Sequence, residues 1–303
     1  MAILRNGRGL LVFFGLTLNT VVWFIPIFIL AIVKLVLPVP SLRRMITRAL
    51  MWFGGNWVNL NCYILAGGGA LQWQVSGTHE LKRDGWYLII VNHQTWVDIV
   101  VLQTIFRGRI PFLKFFIKQE LIWLPFLGVA WWAMDMPFMK RYSKRYLMKH
   151  PEKKAKDLTA TKKACEKFRD TPTSIINFIE GTRFSESKRD AQQSPYRYLL
   201  MPRAGGIAIA LSSMGELFDA VLDVTLVYPN GIPSFWGMCC GDKVRLISDL
   251  RILPCDTKLI GGDYQNDRAY RHDVHLWMTD IWKNKDRRIA AMRGDSQSSA
   301  RVA

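Results

Sequence analysis

The chain has 303 residues, enough for one large domain or two ordinary ones. Lys and Arg number 41 against 24 Asp and Glu, and the formal net charge of +17 favours anionic partners: nucleic acid, anionic lipid or phosphorylated ligands. Half of the residues are hydrophobic and 12 are Trp, an oiliness seldom found in a nucleic-acid arm and common at membrane surfaces, the plain alternative being a soluble enzyme of high pI.

Residues 9–33, GLLVFFGLTLNTVVWFIPIFILAIV, carry no charge and are long enough to span a bilayer. The run is too long and bulky for a cleaved signal peptide and leads directly into Lys34, so it reads as an uncleaved membrane segment, with Asn19, Thr20 and Pro26 as possible kink points. Arg5 and Arg8 precede it, and Lys34, Arg43, Arg44 and Arg48 follow it. Positive charge on both sides fits a single span poorly and suits a hairpin or a half-embedded helix with both ends cytoplasmic. Residues 49–66 form a second uncharged stretch in which Asn56, Asn59 and Asn61 mingle with Trp52 and Trp57; this reads as an interfacial helix, with a second span as the alternative. Gly67, Gly68 and Gly69 then break the chain.

These signals divide the chain into a membrane anchor of one or two helices at 1–69, a catalytic domain at 70–293, and a disordered tail at 294–303, GDSQSSARVA. Within the domain, LQWQVS alternates as a strand, WYLIIV (86–91) is a buried strand, VDIVVLQTIF a helix, and IPFLKFFI the next strand. TSIINFIE (173–180) and VLDVTLVYP (221–229) are further strands. Strands alternating with helices predict an α/β fold, a mixed sheet flanked by helices, behind an N-terminal membrane-embedded helical segment. LIWLPFLGVAWWAM (121–134), interrupted by Pro125 and Gly128, reads as a hydrophobic surface or tunnel wall, or else as a membrane-inserted segment. The basic run 140–169 has helical spacing from 152 onward, as a solvated helix face does, and no internal repeat is present. The five cysteines, Cys62, Cys165, Cys239, Cys240 and Cys255, show no zinc-site spacing and read as reduced thiols of a domain facing the cytoplasm.

Chemistry concentrates in two short stretches. In IIVNHQTWVDIV, His93 and Asp98 lie five apart, a spacing that shares neither a strand face nor a helix face. They meet only if a strand ends at Asn92 and a helix begins near Trp96, with Thr95 as its cap and Asp98 in its first turn. A carboxylate beside an imidazole fixes the tautomer and stabilises the imidazolium, which makes a general base with its orienter. Taken alone, a strand-end histidine and a helix-start carboxylate fit the pair equally well. No G-x-S-x-G elbow, catalytic cysteine context, Walker loop or Rossmann glycine pattern accompanies it, and a base with no protein nucleophile suggests attack by the substrate's own hydroxyl. In FIEGTRF (178–184), Gly181 permits a tight turn, Arg183 offers a fork for phosphate or carboxylate, and Glu180 is placed to hold that Arg or the neighbouring loop; a surface turn with a local ion pair is the plain alternative. MPFMKRYSK brings Lys140 and Arg141 after apolar residues, and His272 and His275 read as structural, with no third metal ligand in view.

Together NHQTWVD, FMKR and EGTR resemble the blocks of the glycerolipid acyltransferase family, of which the 1-acylglycerol-3-phosphate acyltransferases are the best-known members. N-H-x4-D is matched by Asn92, His93 and Asp98; G-x-x-F-I-x-R in part by Phe138, Met139 and Arg141; F-P-E-G-T-R by Phe178, Glu180, Gly181, Thr182 and Arg183; and the last, proline-ending strand by VTLVYP, closing at Pro229. The order and spacing agree over roughly residues 70–230. Asp135 replaces a Gly of the second block and Ile179 a Pro of the third, and EGTRF, LMPRAGG and DVTLVY resemble the branch that includes lysocardiolipin and lysophosphatidylinositol acyltransferases. The resemblance implies that His93, oriented by Asp98, deprotonates a lysophospholipid hydroxyl that attacks an acyl thioester. It implies an acceptor-binding set of Asn92, Lys114, Arg141, Glu180, Gly181, Thr182 and Arg183, with Asn92 also bracing the corner and Lys114 or a backbone amide facing the thioester oxyanion. It further implies phosphatidic acid as product or, alternatively, a remodelled phospholipid of another headgroup. No cofactor or metal is expected, acyl-CoA or acyl carrier protein serving as co-substrate. The expected partners are the acceptor, the donor and the bilayer, without nucleic acid, and the expected place is the cytoplasmic side of a bacterial inner membrane. A non-catalytic membrane-binding protein is the reading from a different class.

Overall fold

The computed structural model describes residues 2–66, 71–78, 80–139, 168–169, 171–264 and 266–294, leaving aside the side chains of residues 66, 71 and 139. Two long helices come first, α1 (Ala2–Val36) and α2 (Pro40–Ala66). They pack antiparallel, and the polar residues inside the apolar run explain the pairing: Asn19 donates to Trp57 O (3.0 Å) and Asn61 Oδ1 (2.8 Å), and Trp57 Nε1 donates to Thr20 Oγ1 (3.1 Å). These groups stitch the hairpin where the apolar surface alone carries no register. Helix α1 runs on through Pro26 as a single element of 35 residues, about 52 Å at 1.5 Å per residue. Among the described residues it is the one helix long and apolar enough to cross a membrane, with a mean hydropathy of 2.3 over its best window. Its outward residues, such as Leu11, Phe14 and Ile25, are exposed.

The remainder is a mixed α/β unit. The strands are β1 (Leu71–Ser76), β2 (Tyr87–Val91), β3 (Leu113–Phe115), β4 (Ile117–Lys118), β5 (Phe138–Met139), β6 (Ser174–Phe178), β7 (Ala220–Val227) and β8 (Val244–Leu253). The helices are α3 (Val97–Phe106), α4 (Leu127–Ala133), α5 (Glu186–Ala191), α6 (Gly205–Met214), α7 (Phe235–Cys240) and α8 (Arg268–Arg293). The main sheet has the order β1-β8-β7-β2-β6-β3, parallel except between β7 and β8. Period-two alternation divides its core. Leu88, Ile90, Ile175 and Val221 pack with α6 and α8 on one face, and Ile89, Val91, Ile176 and Val224 with α3 and α7 on the other.

The sheet and its flanking helices agree with the class read from the sequence, but β8 had no counterpart there. IPFLKFFI gives two short strands rather than one, and the 121–134 stretch gives a 3₁₀ turn (Gln119–Trp123) and then α4. Trp123 and Phe126 are exposed there, whereas Ala130, Ala133 and Met134 form a third cluster with Ile27, Ala31 and Leu50 of the two long helices. Gly294, expected to open the tail, instead closes α8 in the left-handed conformation, φ +80°. The rest of that tail, most of the basic run 140–169, and Cys165 lie outside the described residues.

Both ends of α1 are fastened to this unit. Arg5 makes two hydrogen bonds to Asp242, 2.9 and 2.7 Å, and Gly9 lies against Cys240 and Trp236 of α7. At the other end buried Lys34 pairs with Asp135 at 2.6 Å and donates to Ala133 O at 2.7 Å. Asp135 has φ +55°, a left-handed conformation that Gly adopts freely and Asp tolerates. Its substitution for the Gly of the second block thus keeps the turn and adds a partner for Lys34.

Candidate active site

Strand β2 ends at Val91 and α3 begins at Val97, and the intervening corner carries the site. His93 Nδ1 lies 2.9 Å from Asp98 Oδ2. The same carboxylate accepts Gln94 N (2.6 Å), Thr95 N (3.0 Å) and, through Oδ1, the hydroxyl of Tyr228 (2.7 Å). A carboxylate is an acceptor only, so Nδ1 carries the proton and donates it. Nε2 is left with a lone pair, and among the described residues it has no partner. The imidazole stacks on Phe178 with centroids 4.1 Å apart, and its side chain is 14 % exposed, open on one side. Thr95 does not cap α3 as expected. Its hydroxyl donates to Pro233 O at 2.9 Å and receives a long bond, 3.4 Å, from Val97 N, while the N-cap position falls to Trp96.

The backbone of His93 is held from a second side. Its N–H donates to Glu180 Oε1 at 2.9 Å, and its carbonyl accepts Phe184 N at 2.7 Å. Glu180 Oε2 accepts Leu200 N at 3.0 Å. Burial pushes the Glu180 carboxyl up to about 7, against the pull of the His93 and Leu200 amides and of Lys285, with Asp98 adding to the rise. Burial, then the charge of Asp98, raises the Tyr228 hydroxyl, so it stays a donor.

Several expected site residues take other roles. Asn92 was counted with the acceptor-binding set, but it is fully buried, and its amide exchanges two 2.9 Å bonds with the backbone of Leu226. It extends the β2–β7 pairing and braces the corner. Glu180 was placed in the same set and is also fully buried, gripping backbone on two sides and holding the loop rather than Arg183. Lys114 is 1 % exposed, its ammonium 4.0 Å from the ring of Phe168. It pairs in register with Ile175, three residues before Phe178 and so on the opposite sheet face from the His93 ring. That burial removes it from any oxyanion. Gly181 turns the loop at φ +69°, with the Arg203 side chain lying across the position a Cβ would take. Thr182 Oγ1 and Arg183 O both accept Lys188 Nζ, at 3.0 and 2.9 Å. Arg183 is exposed 5.2 Å over the Trp96 ring and makes no ion pair among the described residues, so its fork is available beside the base. Arg141 lies outside the described residues.

Sequence reasoning missed Tyr228 and the polar face of α8. Tyr228 had one signal, a hydroxyl at the end of an otherwise apolar strand. Lys285 and Arg288 sat in a charged helix with nothing to mark them as buried. Among the described residues no group of three or more His, Cys, Asp or Glu could hold a metal ion. The arrangement supplies a base with a fixed tautomer, an open approach to Nε2 and a cation nearby, with no protein nucleophile between them among the described residues.

A family model described as Acyltransferase matches residues 72–229, just over half of the chain. The human 1-acyl-sn-glycerol-3-phosphate acyltransferase delta is 24 % identical over 212 residues, covering 66 % of this chain and 51 % of that protein. The mouse gamma protein of the same name is 26 % identical with the same coverage. The chain thus spans about half the length of the curated relatives it matches. A crystal structure of the 1-acyl-sn-glycerophosphate (LPA) acyltransferase from Thermotoga maritima overlaps with a TM-score of 0.48 at 17 % identity, covering 91 % of this chain and 97 % of that one.

Proposed function

We propose a function from one premise: the chain belongs to the acyltransferase family. The reaction assigned is transfer of a fatty acyl group from an acyl thioester to the free hydroxyl of 1-acylglycerol 3-phosphate, yielding phosphatidic acid. The single observation that carries it is His93, its Nδ1 bound to a carboxylate with three other donors and its Nε2 without a partner or a neighbouring protein nucleophile among the described residues. Nε2 takes the proton of the acceptor hydroxyl as that oxygen bonds to the thioester carbonyl carbon. The C–S bond then breaks, and the thiolate leaves with the proton from the imidazolium. Asp98 stays ionised throughout and stabilises the charged ring. Arg183 holds the acceptor's phosphate. Acyl-CoA or acyl carrier protein enters as co-substrate, and no resident cofactor takes part.

The exposed apolar side of α1 supports membrane association, and the two fastened ends favour a helix lying within one leaflet over a simple crossing. The named relatives act on a lysophosphatidic acid, which supports that acceptor here. A bacterial inner membrane, with the site on the cytoplasmic side, is the setting assigned. The test is acyl transfer by the purified protein in detergent from a long-chain acyl-CoA, offering lysophosphatidic acid and lysophosphatidylglycerol separately. Preference for the first, with a loss of about 10²–10⁴-fold in His93→Ala, is expected for a general base. Preference for the second would move the protein to phospholipid remodelling, and His93→Ala with full activity would remove His93 from the chemistry.

A further inference from the structure

The stretch LMPRAGG (200–206) lies against the EGTR loop, and its arginine has no part in the chemistry above. Three bonds hold the stretch there. Leu200 N donates to Glu180 Oε2 at 3.0 Å, Leu200 O accepts Trp282 Nε1 at 2.9 Å, and Arg203 N donates to Ile179 O at 2.7 Å. The Arg203 side chain then runs over the turn of the loop: a Cβ on Gly181 would lie 3.0 Å from its Cδ and 3.2 Å from its Nε and Nη1. Gly181 therefore answers two needs, the positive φ of the turn and room for a guanidinium. Its neighbour Glu180 is the residue that grips His93 N, so Arg203 is set on the same short loop that holds the base.

Arg203 is exposed, and its guanidinium makes no hydrogen bond or ion pair among the described residues. The position is unfavourable for an unpaired cation. It stands directly before α6, whose first amides carry no side-chain cap, and positive charge at a helix N-terminus opposes the helix dipole. Arg183, two residues past Gly181, is likewise without an ion pair, 5.2 Å over the Trp96 ring. Consecutive Cα atoms lie about 3.8 Å apart, so positions 181 and 183 are separated by at most about 7.6 Å. Lys188 Nζ adds a third positive charge at Thr182 Oγ1 and Arg183 O, 3.0 and 2.9 Å away. Three cations thus gather about the apex of the loop. The loop's own carboxylate, Glu180, is fully buried and occupied by two backbone amides, so it offers them no oxygen.

We infer that Arg203 is a second guanidinium for the acceptor's phosphate, and the residue that favours a phosphate monoester over a diester at this loop. A monoester carries a charge of about −1.5 to −2 at pH 7, its second ionisation falling at roughly 6. The diester of a lysophospholipid with a further headgroup carries a single charge and has one more oxygen capped. One fork matches a single charge, and two forks match a dianion with three free oxygens. The preference in turnover rests on the transferase reading above, and the binding of a monoester head at the loop does not.

The test uses the full-length protein in detergent with two acceptors, lysophosphatidic acid as the monoester and lysophosphatidylglycerol as the diester. Arg203→Met removes the charge, and Arg203→Lys keeps it without the fork. Arg203→Met should raise KM for lysophosphatidic acid about tenfold or more, with kcat within about twofold, and should change KM for lysophosphatidylglycerol less than about threefold. Arg203→Lys should fall between the two. An equal rise for both acceptors, or a fall in kcat with KM kept, would reduce Arg203 to a support of the loop and overturn the inference. A rise in KM for acyl-CoA alone would hand the guanidinium to the donor's phosphates and overturn it too. Should Arg203→Met fail to fold, Arg203→Gln loses the charge at similar length and is read by the same criteria. Thermal unfolding with each lysophospholipid and no donor reads binding without turnover. Lysophosphatidic acid should stabilise the wild type more than lysophosphatidylglycerol does, and Arg203→Met should abolish that difference. If the wild type acylates neither lipid while the Arg203-dependent difference persists, the phosphate site stands and the transferase reading falls; if the difference is indifferent to Arg203, the inference falls whatever the activity.

Discussion

Asp98 shows how much of this site depends on single atoms. Its carboxylate takes four donors, one of which, Tyr228, comes from 130 residues away. Tyr228→Phe removes a buried donor to a charged acceptor, an interaction of about 1.5–3 kcal/mol. The expected result is a loss of roughly tenfold or more in kcat/KM together with a lower melting temperature; unchanged kinetics would show that three donors suffice. Glu180 makes a pH prediction. Its folded value of about 7 stands above the ordinary 4.5, so its contribution to stability is fully present below 4.5 and is lost as pH rises through 7. A rise of this size corresponds to a few kcal/mol. Glu180→Gln should therefore flatten the fall in melting temperature between pH 5 and 8; parallel curves for the two proteins would refute it. His93 and Asp98 were legible in the sequence because a six-residue corner joins them. The other grips on that corner were not, because Glu180 and Tyr228 come from distant strands and nothing local marks them as partners.

At the scale of elements, the paired groups are polar residues in apolar surroundings. Asn19 and Thr20 look like interruptions in a membrane segment, and their use becomes visible only when α2 supplies Trp57 and Asn61. Strand β8 was passed over in the sequence although VRLISDLRIL alternates, and its Arg251 and Asp249 find their partners, Asp223 and Arg288, only in the fold. The junction of Lys34 with Asp135 is the element-scale test. Lys34→Met removes the ammonium that meets a mostly buried carboxylate at 2.6 Å and should cost about 3–5 kcal/mol. Adding Asp135→Gly removes that charge and relaxes the left-handed turn, so the double substitution should regain most of the loss. Thermal unfolding of the singles and the double decides it, and simple additivity would mean that the pair does not act as a pair.

For the whole molecule, composition and the two uncharged stretches made a pair of apolar helices ahead of an α/β unit readable. The docking of the hairpin was not readable, because Arg5 and Lys34 were merely flanking charges before the fold set Asp242 and Asp135 against them. If the hairpin lies in one leaflet, cysteines introduced at Gly7 and Ser41 in a protein with its native cysteines replaced should react with a membrane-impermeant maleimide from the same side of sealed vesicles. Labelling from opposite sides would establish a crossing.

The double fastening of α1 has a further consequence. A rod pinned at both ends cannot rock against the body that carries it. In a bilayer it would act as a keel, setting how deep the whole molecule rides. On the transferase proposal, His93 would then sit at one fixed height, and a lipid whose hydroxyl floats above or below that waterline would be refused by the hull before it met the imidazole.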